Sequence, residues 1–223
     1  LARQPDGSIA IVRWWNGFSA ILNLCEEADR RYLDSKLQHL MNDYGVDGFK
    51  FDGGNMASIA LQKWVTAPPK KTPEELNKAW NDFGARYEYH EYKDTYDRSG
   101  RAIIQRTCDR NHSWDNAGLN TLIPYVLSQG LLGYPYVCPD MIGGGEWTWN
   151  LVADFKCDQE LFVRMAQCSA LFPMMQFSLA PWKVLSKENL DIIRKCCDIH
   201  TKLSDYIKEL VLKASVDCSP IIR

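Results

Sequence analysis

The sequence lacks several features that would place it in a specialised class. No two of its eight cysteines form a C-x-x-C motif, so zinc and redox sites of that kind find no support. No apolar run approaches the roughly 18–20 residues that a membrane-spanning helix needs. The N-terminus, Leu1-Ala2-Arg3-Gln4-Pro5, has no apolar segment typical of a secretory signal. No G-x-G-x-x-G follows the first predicted strand, which argues against a dinucleotide-binding open sheet.

An excess of positive charge is also missing. The formal net charge is −2, so the chain has no basic footprint for nucleic acid, and we expect no nucleic-acid partner. The 223 residues are 46% hydrophobic and 12% aromatic, which is enough for one sizeable core and argues against disorder. Because the chain does not begin with Met, we expect it to be an internal fragment of a longer protein.

What the sequence does contain is a regular alternation of strand and helix patterns. Period-2 and apolar segments predict strands at 9–16, 46–52, 102–106, 134–140, 174–177 and 219–223. Helical spacing predicts helices at 26–44, 57–65, 72–89, 119–132, 161–171 and 190–214. Such alternation implies a parallel sheet. Chemistry-bearing residues after the strands favour a (β/α)₈ barrel, of which six strands form a part. We therefore expect residues 1–223 to be a fragment of one barrel domain.

The segment Tyr44–Gly54 carries the strongest functional signal. A short aromatic strand ends at Asp52 and runs into a pair of glycines. Side chains alternate along a strand, so Lys50 and Asp52 share one face while Phe49 and Phe51 share the other. The aromatic face suits burial against helices. The Lys50 cation favours an ionised Asp52, as a nucleophilic carboxylate requires.

A second carboxylate, Asp115, occupies a matching context. It lies on a loop between the strand at 102–106 and the helix that starts near Gly118. Trp114 beside it could exclude water and raise the pKa of its carboxyl group, as a general acid requires. Two carboxylates in contrasting environments are typical of glycoside hydrolysis. The alternative for either residue is a helix cap or a bond to loop amides.

An ordered set of motifs extends this interpretation over nearly the whole chain. The chain resembles the catalytic barrel of glycoside hydrolase family 31, about strands 3 to 8, and within it the myogenesis-regulating glycosidase and α-galactosidase-like branch. The motifs that carry the resemblance are Trp14–Gly17, Asp47–Asp52, Trp114–Asn116, Asp140–Gly144 and Ser169–Met175.

The resemblance implies a retaining α-glycosidase. Asp52 matches the nucleophile, which forms a covalent glycosyl-enzyme, and Asp115 matches the general acid/base. The corresponding carboxyl groups are expected about 5–5.5 Å apart. The substrate-binding residues that it implies are Trp15, Lys50, Arg106 and Asp140: an aromatic wall, two donors to sugar hydroxyls, and an Asp near the pocket. The mechanism needs no metal and no cofactor.

Two departures from the family pattern bear on substrate. Asp52 is followed by Gly53-Gly54-Asn55 where the glucosidases usually carry Met-Asn-Glu, and Ser178 stands where many of them have His. Both changes favour α-galactosides. For Trp15 the alternative is core packing, and for Arg106 it is an ion pair with a loop carboxylate such as Asp109.

Three other functions stay open: an α-glucosidase, a non-catalytic glycan-binding or signalling relative, and a transglycosylase, in which a sugar instead of water intercepts the glycosyl-enzyme. Retention of both Asp52 and Asp115 argues against the non-catalytic relative. The expected partner is a carbohydrate with a terminal α-linked sugar, and the sequence indicates no oligomeric state. By the resemblance alone, the intact protein is expected to be membrane-anchored and to face the endoplasmic reticulum lumen or secretory pathway.

Overall fold

The computed structural model describes residues 1–14, 17–54, 71–145 and 156–223. The chain divides into two compact units, residues 1–98 and 99–223, which are described separately below. Within the described residues, every helix is too short or too polar to cross a membrane. The predicted helix at 57–65 lies outside the described residues. The expectation of one barrel domain over the chain stays a prediction.

The first unit begins with a hairpin and continues as two β-α repeats. Its elements, in order, are β1 (Ile11–Trp14), β2 (Gly17–Ala20), α1 (Glu27–Tyr44), β3 (Gly48–Phe51), α2 (Pro73–Gly84) and β4 (Tyr89–Tyr92). β1 pairs antiparallel with β2, with Ile11 opposite Ala20. The predicted strand at 9–16 is confirmed over Ile11–Trp14, but it pairs antiparallel with β2 and does not join a parallel sheet. Gly17, the first residue of β2, has a φ of +132°, a conformation that favours glycine.

Local sequence signals fix the ends of both long helices in this unit. Gly45 adopts a left-handed conformation with φ of +66° and donates its N–H to the Met41 carbonyl, which ends α1. Thr72 caps α2, because its hydroxyl accepts the Glu75 N–H while the Glu75 carboxylate accepts the Thr72 N–H. The predicted N-terminus of α2 is confirmed.

β3 and β4 form a parallel pair whose aromatic face packs on α2. The register places Lys50 beside Glu91 and Phe51 beside Tyr92. The Phe51 ring stacks on Tyr92 at 5.2 Å and meets Trp80 edge-on at 5.3 Å. Phe51 is buried, whereas Lys50 on the opposite face is exposed. The predicted division of this strand into an aromatic face and a polar face is confirmed.

The sequence prediction missed β4. It extended α2 to about residue 89, but the helix ends at Gly84 and Tyr89-His90-Glu91-Tyr92 forms a strand. The reason is tertiary: Tyr92 is fully buried against Phe51, and its hydroxyl donates to the Asn81 carbonyl at 2.7 Å. Alternating aromatic residues favour a strand when one face is packed in this way.

Gly84 is expected to be intolerant of any side chain. A Cβ atom there would lie 1.9 Å from the Tyr92 hydroxyl and 2.6 Å from a Phe51 ring carbon. We predict that Gly84→Ala lowers the free energy of unfolding by about 1–3 kcal/mol, because the aromatic cluster must shift. Denaturant unfolding measures this. The matched control is Gly130→Ala, in a helix with its nearest neighbour at 3.3 Å, which should be neutral or stabilising. Equal losses in the two variants would contradict the prediction.

The second unit contains the remaining strands and helices. They are β5 (Ile104–Arg106), a 3₁₀ turn (Leu119–Thr121), α3 (Leu122–Leu131), β6 (Tyr136–Cys138), β7 (Met141–Ile142), α4 (Gln159–Ser169), β8 (Gln176–Phe177), α5 (Pro181–Val184), α6 (Lys187–Lys202) and α7 (Ser204–Asp217). β5 pairs parallel with β6, and β7 pairs parallel with β8. These parallel pairs and the strand–helix alternation agree with the predicted α/β class.

The main core of this unit lies between β7, α4 and α6. It is built around Phe162 and Ile142, both fully buried, with Met165, Ala166 and Ile193. This packing holds the amino-terminal end of α4 beside the loop that carries Asp115.

The helical region predicted at 190–214 is confirmed, and it consists of two helices, α6 and α7, which meet at Leu203. The strand predicted after it was wrong. Residues 219–223 form no strand in this structure. Their apolar character reflects packing instead, because Ile221 is buried without ladder hydrogen bonds.

Candidate active site

Asp52 lies immediately after β3, at its carboxyl end. Its side chain is exposed, and its Oδ1 accepts the N–H of Gly53 at 2.9 Å. Lys50 is exposed on the same face of the strand. The structure therefore places this cation and this carboxylate as the alternation of the sequence predicts, on the face opposite the aromatic cluster.

The turn after Asp52 is built from two glycines that α2 holds in place. Gly53 and Gly54 have φ values of +75° and +72°, which side chains rarely tolerate. The buried Asn77 donates from Nδ2 to the Gly54 carbonyl at 2.7 Å. A Cβ atom on Gly54 would lie 2.5 Å from Trp80. Helix α2 thus sets the backbone that directs the Asp52 carboxylate.

Sequence reasoning missed Asn77 and its neighbour Asn81. Asn81 is fully buried, donates to the Asp94 carbonyl at 3.0 Å and accepts the Tyr96 N–H at 3.2 Å. Helix α2 therefore holds, through side-chain hydrogen bonds, the loop after β3 and the loop after β4. The available signal was two asparagines four residues apart on the apolar face of α2, where buried amides need partners.

Asp115 lies in the loop 107–118, after the carboxyl end of β5, and is exposed. Its Oδ1 accepts the Ser113 hydroxyl at 2.7 Å and the Ala117 N–H at 2.9 Å. These bonds favour the charged form, so the pKa of the Asp115 carboxyl lies below its usual value, with the Ser113 bond as the largest cause. Both of these bonds reach Oδ1, and the backbone N–H of Gly118 also favours the charged form of this carboxyl group.

The expectation that Trp114 raises the pKa of Asp115 was wrong for the free protein. Trp114 is about half exposed, and its indole N–H donates to Asp158 Oδ2 at 2.8 Å. The ring therefore does not enclose the Asp115 carboxyl group. Trp114, which was expected to exclude water from Asp115, instead donates a hydrogen bond to the residue that caps α4.

Arg110 organises the interior of the same loop, and sequence reasoning missed it. This buried guanidinium donates to the Thr121 hydroxyl at 2.6 Å and to the Gly118 carbonyl at 3.2 Å, and it lies over the Tyr125 ring at 4.6 Å. Desolvation lowers the pKa of Arg110 from its usual value. The group stays charged, because an arginine side chain is not deprotonated in proteins. Arg110 thus joins the loop to the turn that precedes α3.

Arg106 and Asp140 form a buried ion pair. Arg106 ends β5 and is 1% exposed; it donates to Asp140, and at 3.0 Å to Asp109. Asp140 also accepts the Arg110 backbone N–H at 2.7 Å. Burial raises the pKa of the Asp140 carboxyl, and the Arg106 guanidinium opposes that rise. The ion pair with Asp109, the alternative weighed for Arg106, is present, and Asp140 is a second partner.

Asp140 is held in an unusual backbone conformation. Its φ is +78°, which is uncommon for a residue other than glycine. The turn Gly143–Gly145 follows it, and Gly144 donates to the Met141 carbonyl at 3.0 Å. A Cβ on Gly145 would lie 2.7 Å from the Asp140 carboxylate. The glycine therefore makes room for the carboxylate beside Arg106.

His112 connects the loop to α4 and is neutral in this arrangement. Its Nε2 accepts the Asp158 N–H at 3.0 Å, so this nitrogen carries no proton. Desolvation lowers the pKa of His112, and the neighbouring Asp158 opposes the shift. The side chain is 7% exposed.

The pKa of His112 predicts a pH dependence of stability. The folded-state pKa is below the unfolded value of about 6.5, so the unfolded state takes up the proton first as pH falls. The contribution of His112 is present above pH ~6.5 and is lost as pH falls from there toward the folded-state pKa, with a slope of at most about 1.4 kcal/mol per pH unit. Unfolding of the wild type and of His112→Gln between pH 8 and 5 measures the difference, with His39→Gln as control. Parallel curves for the wild type and His112→Gln would contradict it.

The proposed site residues thus fall into three groups. Lys50 and Asp52 lie together in the first unit. Arg106 and Asp140 are joined in the second, which also carries Asp115. Trp15, the predicted aromatic wall, lies outside the described residues. The roles of these residues, and the predicted separation of Asp52 from Asp115, stay predictions.

Comparison with known proteins decides the family. Residues 1–210 match the glycosyl hydrolases family 31 TIM-barrel domain. The chain belongs to this family. The resemblance of its motifs to this family is therefore confirmed, and so is the predicted (β/α)₈ TIM-barrel class.

Individual relatives agree with this assignment. The chain is 31% identical over 228 residues to the myogenesis-regulating glycosidase of Mus musculus, an alignment that covers 99% of this chain and 32% of that protein. It is 34% identical over 115 residues to the SITS-binding protein of Tetronarce californica, covering 52% of this chain and 15% of that protein. The chain spans about a third of the length of the mouse glycosidase.

Among solved structures, a family 31 sulfoquinovosidase from E. rectale, in complex with an aza-sugar inhibitor, matches with a TM-score of 0.79. The sequences are 16% identical, and the match covers 98% of this chain and 35% of that one. This similarity shows the fold that the family 31 domain adopts here.

Proposed function

We propose that this family 31 domain carries the catalytic residues of a retaining α-glycosidase that hydrolyses α-galactosides. Asp52 attacks the anomeric carbon and forms a covalent glycosyl-enzyme, while Asp115 gives its proton to the departing oxygen. Asp115 then takes a proton from water, the resulting hydroxide displaces Asp52, and the sugar leaves with its configuration retained. Arg106, Lys50, Asp140 and Trp15 are proposed to bind the sugar.

One observation carries the proposal. In a glycosyl hydrolase TIM-barrel domain, Asp52 and Asp115 are both exposed, and each follows the carboxyl end of a parallel strand, β3 or β5. Catalytic residues of such barrels come from the loops at that end of the strands. A glycosidase needs two carboxylates of this kind, one as nucleophile and one as acid.

The pKa of Asp115 is lowered in the free protein, so substrate binding must raise it before this residue can act as an acid. A general acid must hold a proton when the sugar is bound. A sugar that covers the exposed carboxyl group excludes water, and this desolvation raises the pKa of Asp115. Since the bonds from Ser113 and Ala117 both reach Oδ1, we assign the transferred proton to Oδ2.

The galactoside assignment rests on four positions. Lys50 is exposed beside Asp52 and can donate to sugar hydroxyls. Gly53 and Gly54 both have positive φ, so the tight turn leaves no side chain where the glucosidases carry larger residues. Ser178 donates its hydroxyl to the Ile142 carbonyl at 3.1 Å, and a Cβ on Gly143 would lie 2.9 Å from that hydroxyl. This serine thus takes part in backbone contacts where many α-glucosidases carry histidine.

A substrate panel tests the proposal. The full-length protein is assayed with phenyl α-galactoside, α-glucoside and α-sulfoquinovoside, and proton NMR identifies the first anomer released. We expect galactoside turnover with release of the α anomer. Turnover of the glucoside alone would support the α-glucosidase alternative. Release of the β anomer would contradict the double displacement.

A binding protein without catalysis is the second candidate. The match to the SITS-binding protein favours it, because that relative is named for a ligand and not for a reaction. Titration calorimetry with galactose and short α-galactosides separates the two candidates. Binding of these sugars by folded protein, with no turnover of any glycoside in the panel, would support the binding protein.

A further inference from the structure

Asp158 connects the loop that carries Asp115 to the start of α4 by hydrogen bonds. Its Oδ2 accepts the Trp114 indole N–H at 2.8 Å, and its backbone N–H donates to His112 Nε2 at 3.0 Å. Its Oδ1 accepts the Leu161 N–H at 3.1 Å and caps the helix. The two carboxylate oxygens therefore have separate partners, one in the helix and one in the loop.

These contacts hold the backbone on one side of Asp115. Trp114 directly precedes Asp115 and is 49% exposed, so its position depends on the charge-assisted bond to Asp158 more than on burial. On the other side, the Gly118 N–H donates to the Asp115 carbonyl at 3.0 Å. His112, which is buried, supplies the second attachment to Asp158. The loop is thus fixed on both sides of the residue.

We infer that Asp158 and Trp114 are positioning residues for Asp115, which hold its carboxyl group in line with the departing oxygen; this rests on the proposed function. Helix α4 is a rigid support, because its buried face forms the core of the second unit. Loss of the Trp114–Asp158 bond leaves the fold intact and lets the acid move. A displacement near 1 Å is enough to cost up to about 10²-fold in rate.

The dependence of rate on the leaving group separates positioning from a structural role. A phenol that is a poor leaving group needs the proton from Asp115, whereas a dinitrophenol departs without it. We expect Trp114→Phe, which removes the indole N–H donor and keeps an aromatic ring, to lower kcat/KM for phenyl α-galactoside about 10–100-fold. The loss for dinitrophenyl α-galactoside should be below about 3-fold.

Two further variants complete the experiment, all in the full-length protein. Asp158→Ser keeps an oxygen that can cap α4 but is too short to reach Trp114, and it should reproduce the effect of Trp114→Phe. The double variant should lose no more than either single one, because both changes remove the same bond. Trp182→Phe, at a 71% exposed tryptophan in the same unit, is the matched control and should leave both rates unchanged.

Equal losses for the two leaving groups, or additive losses in the double variant, would overturn the inference. A fluorine NMR signal from 5-fluorotryptophan at position 114 reports the contact without any turnover. This signal should shift in Asp158→Ser, and an unchanged shift would overturn the contact. Absence of turnover by the wild type would overturn the proposed function and the catalytic role of the contact, while the fluorine shift would still report the contact itself.

Discussion

Replacing Asp52 by Asn is expected to abolish turnover of every α-galactoside, with a loss in kcat/KM on the order of 10⁵-fold. The amide has nearly the shape of the carboxylate but cannot form the covalent intermediate. It can still accept the Gly53 N–H through its oxygen, so the turn should stay in place. The measurement is turnover of phenyl and dinitrophenyl α-galactoside by purified, folded variants.

Asp115→Asn is the matched comparison, because the same chemical change removes the acid instead of the nucleophile. It should slow phenyl α-galactoside about 10²–10⁴-fold and leave formation of the glycosyl-enzyme from the dinitrophenyl substrate largely intact. Its intermediate should then accumulate, since no base activates water. If Asp52→Asn spared the dinitrophenyl substrate while Asp115→Asn did not, the two roles would be reversed. Full activity in either variant would exclude a catalytic role for the substituted residue.

Arg106→Met is expected to cost about 3–5 kcal/mol of unfolding free energy, the largest stability effect that the structure predicts. Arg106 is 1% exposed and Asp140 is 2% exposed, so the variant leaves a buried carboxylate without its cation. Denaturant unfolding at pH 7 measures the loss. Asp109→Asn, which removes the 35% exposed partner of the same arginine, should cost below about 1 kcal/mol.

Two controls identify the unpaired charge as the cause. In Arg106→Met/Asp140→Asn the buried charge is gone, and asparagine tolerates the positive φ of Asp140, so part of the lost stability should return. In Arg106→Met alone, the cost should shrink as pH falls, because Asp140 takes up a proton. A cost that is independent of pH, with no recovery in the double variant, would point to lost packing as the cause.

Much of this protein could be predicted from short stretches of sequence. Thr72 and Glu75 are three residues apart, and their reciprocal hydrogen bonds cap the start of α2. This cap depends only on the local sequence. Gly45 ends α1 for an equally local reason. Phe49 and Phe51 share a face because strand geometry imposes it, and Asp52 follows at the strand end in the same way. The family motifs placed Asp52 and Asp115 as candidates for the same reason, since each lies within a short continuous segment.

Contacts between distant segments could not be predicted in this way. β4 exists because Tyr92 packs on Phe51, forty-one positions earlier. The antiparallel pairing of β1 with β2 was also not predicted. Local propensity carries no information about such partners.

The sequence by itself determined the α/β class, the helix starts and the two candidate carboxylates, because caps, glycines and alternation act within a few residues. Only the tertiary structure decided the surroundings of those carboxylates. Trp114 turns to Asp158, forty-four positions away, and so does not enclose the Asp115 carboxyl group. Arg106 finds Asp140 thirty-four positions away. The pKa of a side chain depends on the charges and the water around it, and folding brings those together from distant parts of the chain.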